Sequence, residues 1–417
     1  MRKAPSGRST VVRRRAPSLS LALLALGAGA CGPPDDAALR DATSFEDSAG
    51  VALSMSGGPG WSAEAAWRLE PDLTIGEPDG ELSFGRIASV APADGEIYVL
   101  DRQSQVVRVF DDSGAYLREF GGEGDGPGEL HGAAVLGPTT DGEVGVAATF
   151  PPVLHWFRRD GSYVRSLHLP TSGDEGWRGA SFAIWHIAPS GLAFARVATL
   201  GFPPPEDGRV TVRVLRFALD GAVDTVVSWP EEVPVAVDGR QEEVRVLEPR
   251  IVIAMREDGS FLRSPGLPYA IERYDARGRL VGIIRRPVEP VPVTEEIRRR
   301  VVEEVRAAME ESGSPDAFID GYVERLAFPS RLPAIFRLWV SEMDGRIWAG
   351  VVEGGAFRQD GNPTAWDVFD PNGRFLGRLP IPDGFRASTI REDAVYGVWK
   401  DELDVEYARR YRIVRPE

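Results

Sequence analysis

Apolar residues in this chain come in short runs of four or five, cut by Asp-Gly-type turns at nearly regular spacing. The clearest case is 87–122. Ile87-Ala88-Ser89-Val90 leads to Ala93-Asp94-Gly95, then Ile97-Tyr98-Val99-Leu100 follows. Val106–Phe110 enters the turn Asp112-Ser113-Gly114, and Tyr116–Phe120 ends in Gly121-Gly122. Four short strands joined by hairpin turns of this kind predict one antiparallel blade of a β-propeller. The pattern returns over 135–169, 184–229, 251–284 and 335–379, with turns at Asp141-Gly142, Ser190-Gly191, Asp258-Gly259 and Asp344-Gly345.

A sixth unit, 388–414, stops after its third strand, while an orphan strand, Ala66-Trp67-Arg68-Leu69-Glu70, precedes the first unit. An open seam would leave an unpaired sheet edge, which natural sheets avoid. The expected fold is therefore all-β: a six-bladed β-propeller of four-stranded antiparallel blades over 66–417, closed by an N-terminal strand that completes the last blade.

One segment departs from the strand pattern. In 294–327 the stripe Ile297, Val301, Val302, Val305 and Met309 predicts a helix. Phe318, Ile319, Tyr322, Val323 and Leu326 predict a second, with Ser314 as N-cap and Pro315 at its first position. This helical insertion falls between blades four and five. It reads either as a cover over one face of the ring or as a partner-binding arm.

The stretch Phe120-Gly121-Gly122-Glu123-Gly124-Asp125-Gly126-Pro127-Gly128-Glu129-Leu130, with Ile97–Asp101 and Val109–Asp111 before it, resembles the blade junction of NHL-repeat and TolB-like six-bladed propellers. Many bacterial lipoproteins share that layout. The relatives' layout does not itself assign a role; with no convincing catalytic set in the sequence, the favoured reading is a non-enzymatic module that binds protein, peptide or glycan. Its alternative is a metal-dependent hydrolase or lyase of the gluconolactonase type, working in the central channel.

The N-terminus adds an address. Basic Met1–Arg15, apolar Leu19–Ala30 and small residues before Cys31 form a signal peptide over 1–30. The apolar part falls short of the roughly 20 residues a membrane-spanning helix needs. Cys31 is the only cysteine. Ala28-Gly29-Ala30-Cys31 resembles a lipobox, which implies acylation of Cys31 and attachment to the bacterial cell envelope; Ala28-x-Ala30 also fits an ordinary cleavage site. Residues 31–65 are acidic and rich in Pro and Gly, and read as a flexible tether.

The whole chain of 417 residues carries a formal charge of −15. Residues 1–30 hold six basic and no acidic groups, so the remainder stands at −21. Such a body repels phosphate backbones, which argues against nucleic-acid binding.

Candidate chemistry is sparse. Glu123, Asp125, Glu129 and His131 cluster in sequence, but the glycines between them explain the segment as a tight crossover without a metal. Of the histidines His131, His155, His168 and His186, only His131 and His186 fall where they could meet near the axis. The Asn ligand of a gluconolactonase-type centre has only Asn362 and Asn372 as candidates, both in turns. No cofactor is expected. Arg86 and Arg250 stand eight residues before the first-hairpin Asp of their blades, and Arg337 and Arg386 seven before theirs. Together they suggest a basic funnel at the channel mouth, selecting anionic ligands by field focusing.

Overall fold

The computed structural model describes residues 43–48, 50–58, 60–149, 151–170, 180–199, 209–218, 221–232, 243–341, 343–353, 362–391 and 393–416. Its sheets form the expected six blades. From the axis outward, blade one runs Ile87–Ala93, Glu96–Asp101, Val106–Asp111 and Tyr116–Gly121. The inner strands of the next five blades are Ala133–Pro138, Ala180–Ile187, Val252–Met255, Arg337–Val340 and Phe385–Arg391.

Turn chemistry drives the repetition. Asp111 accepts the backbone N–H of Ser113 and Ala115, each at 2.9 Å, and Gly114 closes the turn at φ +87°. Asp275 and Asp370 repeat the arrangement in blades four and five; in blade two Arg158 holds that position, and Asp160, two residues further on, accepts the N–H of Ser162. A side chain that mimics a turn carbonyl in this way fixes the hairpin and its register. A β-bulge lies between the third and outer strands of every blade: one residue before the turn at Phe110, Phe157, Tyr274 and Phe369, two residues earlier at Leu215 in blade three, and at Tyr411 in blade six. Bulges of this kind increase the local twist of a sheet.

The bulge in blade six lies within the pairing of Glu406–Val414 with Arg68–Ile75. The N-terminal strand is thus the true fourth strand of the last blade and closes the ring. It begins two residues later than the sequence pattern placed it. Each interface between neighbouring blades has its own apolar core, and blade six meets blade one through Tyr396, Val398, Ile87 and Val99. At Gly137 a Cβ would lie 2.5 Å from the Cβ of Ile187, so glycine there lets the inner strands of blades two and three touch.

The reading of 31–65 as a flexible tether needs correction over its second half. Thr43–Ser48 and Val51–Ser56 form a hairpin, and the latter strand pairs in parallel with Leu280–Arg285, so blade four is a sheet of six strands. Hydroxyl groups attach it to blade five: Ser54 Oγ donates to the carbonyl of Gly373 at 2.9 Å, and Ser56 Oγ accepts from the N–H of Phe375 at 3.1 Å. Further on, Trp61 fills the space above Gly377, where any side chain would overlap its indole, and stacks on Trp67 at 4.6 Å. Residues 43–67 therefore strap blades four to six. Residues 1–42, with the signal segment and Cys31, lie outside the described residues.

The insertion forms α1 (Glu295–Glu311) and α2 (Asp316–Val323). Thr294 caps α1 by accepting the N–H of Ile297 at 3.3 Å. The expected cap of α2 shifts by one residue: Pro315, extended at φ −65° and ψ 141°, occupies the cap position and Ser314 lies outside it. Ile297 and Val301 of α1 pack with Val293, Leu332 and Val352, and against Leu247 of the crossover from blade three to blade four. That crossover also pairs with the insertion through a short parallel ladder, Val244–Arg245 with Leu326–Ala327.

Candidate functional site

In a propeller the inner strands line the axis, and here they are unusual in charge. The six contain Arg337, Arg386, Arg391 and His186 but no Asp or Glu, in a chain with 63 acidic and 48 basic residues. Four of the predicted site residues gather where the inner strands begin. Arg337 and Arg386 lie within the ladders, opposite Gly350 and Val398. Arg86 and Arg250 lie just outside, beyond the last pairs Ile87–Asp101 and Val252–Ser264. The offsets of seven and eight residues thus correspond to two tiers at one end of the ring.

The tiers differ in what holds them. Arg386 donates to the carbonyl of Ile87 at 3.0 Å, which ties blade six to blade one. Arg337 lies 5.8 Å from the ring of its own Trp339. Arg86 and Arg250 are exposed, and their side chains make no ion pair among the described residues. Nearby carboxylates are already engaged: Asp101 accepts the N–H of Gly85, Arg86 and Gln103, and Glu406 accepts that of Ile87 at 2.6 Å. Both carboxylates are thus fixed in place beside the rim, and Glu406 also lies 3.8 Å from Lys400 Nζ.

The histidine pair does not form. His131 sits exposed before the inner strand of blade two, whereas His186 lies near the far end of the inner strand of blade three, opposite Phe194. Gly137, at the end of the blade-two strand, is what lies beside Ile187, so His131 and His186 stand at opposite ends of adjacent strands. His186 packs on Phe194 at 6.0 Å, and burial lowers its pKa to about 4. Its neutral form is the folded one, so stability is full above the unfolded value of about 6.5 and declines as pH falls toward 4. Urea unfolding between pH 7 and 4 is expected to show a shallower loss for His186→Gln than for the parent chain; equal slopes would refute this.

His155 and His168 sit on the third and outer strands of blade two, away from the axis, and His155 Nδ1 pairs with Ser166 Oγ at 2.9 Å. Among the described residues no three His, Cys, Asp or Glu side chains converge as metal ligands would.

A feature that sequence reasoning missed is a cleft of about 420 Å³ between blades three and four. Its walls come from Arg196 and Glu231 of blade three, Leu247, Glu248 and Arg250 of the crossover, Ile251 and Val252 leading into blade four, and the stretch around Phe336 where the insertion rejoins the ring. Only Arg250 links it to the predicted residues, because the other parts are distant in sequence.

Residues 77–132 match the DUF5128 family of six-bladed beta-propellers. No curated protein matches the sequence. Among solved structures, a protein assigned as exported, from Bacteroides fragilis, is similar at 11% identity, over 87% of this chain and 99% of that one, with a TM-score of 0.48. A DUF4221 member from Bacteroides vulgatus is similar at 10% identity, over 84% and 99%, also with 0.48. A Xanthomonas campestris gluconolactonase is similar at 12% identity, over 83% and 99%, with 0.42. Among the described residues, no helix is long and apolar enough to cross a membrane.

Proposed function

We propose that this six-bladed propeller is an exported binding module, held at the cell envelope by a lipid on Cys31. It takes an anionic protein, peptide or glycan segment at the end of the ring where the inner strands begin. One observation carries the reading: the strands around the axis hold arginine and no carboxylate, although the chain as a whole is strongly acidic. In such a body a local basic rim focuses field lines and concentrates anions against the general repulsion. The insertion packs over the same end through Val352 and Leu247, and offers a wall beside the rim.

The test uses a fluorescent hexaglutamate peptide and the chain from residue 32. Binding is expected to weaken with salt and to fall at least tenfold in the double variant Arg337→Gln, Arg386→Gln. Thermal melts verify that the variant stays folded, since Arg386 also bonds Ile87. Affinity that is insensitive to both salt and substitution would end the proposal.

A further inference from the structure

The cleft between blades three and four has a specific chemical character. Its two acids each have their own arginine: Glu231 pairs with Arg196 at 2.6 Å and Glu248 with Arg245 at 3.7 Å. Arg250 is the lining guanidinium left without an ion pair among the described residues, and it is exposed. The remaining lining is apolar, and its part-exposed side chains are Leu247 of the crossover, Ile251 and Val252 of blade four, and Phe336 from the insertion's return.

Two backbone features hold this shape. Leu247 sits in the left-handed region at φ +57°, a conformation uncommon for a branched side chain. Such outliers persist where surrounding structure fixes them, and they cluster at ligand sites. Below Arg250, a Cβ on Gly266 would meet its backbone N and O at 2.9 and 2.8 Å, so glycine is what lets Arg250 sit there. The volume lies within the range of about 300–1,000 Å³ usual for small-molecule sites.

We propose that this cleft binds a small carboxylate with an apolar body. The carboxylate lies on the Arg250 guanidinium, in the paired geometry that a planar fork favours. The body packs between Leu247, Ile251 and Phe336. The site deepens the reading of this end of the ring as ligand-binding, and it adds a discrete pocket to a diffuse basic rim.

Ligand-observed NMR titration with 3-phenylpropionate provides the test, with 3-phenylpropanamide as its uncharged counterpart. The acid is expected to bind saturably, the amide at least tenfold more weakly, and Arg250→Met to reduce acid affinity at least tenfold. Arg279→Gln, a substitution in the exposed hairpin turn of blade four, should change nothing. Equal binding of acid and amide overturns the proposal, as does an unaffected Arg250→Met or the absence of saturable binding. If phenylpropionate binds as expected while hexaglutamate does not, the cleft stands and the wider rim reading falls. The reverse pattern removes the cleft and leaves the rim.

Discussion

A chain that starts at Gly76 is expected to lose its cooperative unfolding transition. Removing Arg68–Ile75 strips blade six of its fourth strand and exposes the full edge of Glu406–Val414. It also removes Ile75 from the core between blades six and one, and Leu69 from that between blades five and six. At about 1.5–3 kcal/mol for each buried aliphatic side chain, the loss reaches a large part of the roughly 5–15 kcal/mol that stabilises a typical domain. A bare, long edge also invites pairing between chains. A chain that starts at Ala66 keeps the closing strand and loses only the hairpin and Trp61. It should melt cooperatively at a lower temperature. Thermal circular dichroism and light scattering on the two truncations separate these cases. A sharp melt for the shorter chain, close to that of the parent, would show that closure by the N-terminal strand is dispensable.

The second large effect is expected at Asp367, whose side chain is 0% exposed. It accepts from Tyr269 Oη at 2.8 Å, Arg286 Nη1 at 2.6 Å and Arg378 Nε at 2.7 Å. The Arg286 guanidinium lies flat against Phe375 at 3.4 Å, so it cannot turn to water without disrupting the interface of blades four and five. Burial, and then the neighbouring Asp367 charge, push the Tyr269 hydroxyl well above its usual range, which keeps it a donor. Asp367→Ala leaves two guanidinium groups and a phenol without their acceptor. Breaking a buried pair from one side costs about 3–5 kcal/mol. Asp367→Asn keeps an acceptor oxygen and should lose less. Urea denaturation of both variants provides the check, and a cost below about 1 kcal/mol for Asp367→Ala would contradict a buried ionic cluster of this kind.

The sequence is most legible where one residue type does a local job. An Asp whose carboxylate caps the turn two residues ahead, as at Asp111, followed by a glycine at positive φ, marks a hairpin wherever it recurs. Counting the first-hairpin turns, from Asp94-Gly95 to the one near Asp393, yields six units, and the short last unit together with the spare first strand yields the closure. The strap over 43–67 escaped because its pattern is inverted. The positions it buries are Ser54 and Ser56, while Met55 beside them is exposed, so a search for apolar alternation finds nothing to bury. What holds it is hydrogen bonding to the turn at Gly373, more than 300 residues away in sequence.

The candidate site divides along the same line. Arginines seven or eight residues before the first-hairpin Asp of four blades were visible as a spacing, because strand length and turn position are local properties. Their separation into two tiers, and the placing of His131 and His186 at opposite ends of neighbouring strands, depend on ladder register and on how blades sit side by side. The cleft at Arg250 needed more still, since its walls come from a blade, a crossover and the return of an insertion. By itself the sequence determined the repeat, the number of blades and the closing strand, because these follow from turn chemistry and from the need to pair every edge. Only the tertiary structure decided which charges are spent on partners and which remain free, because that depends on residues brought together across the ring.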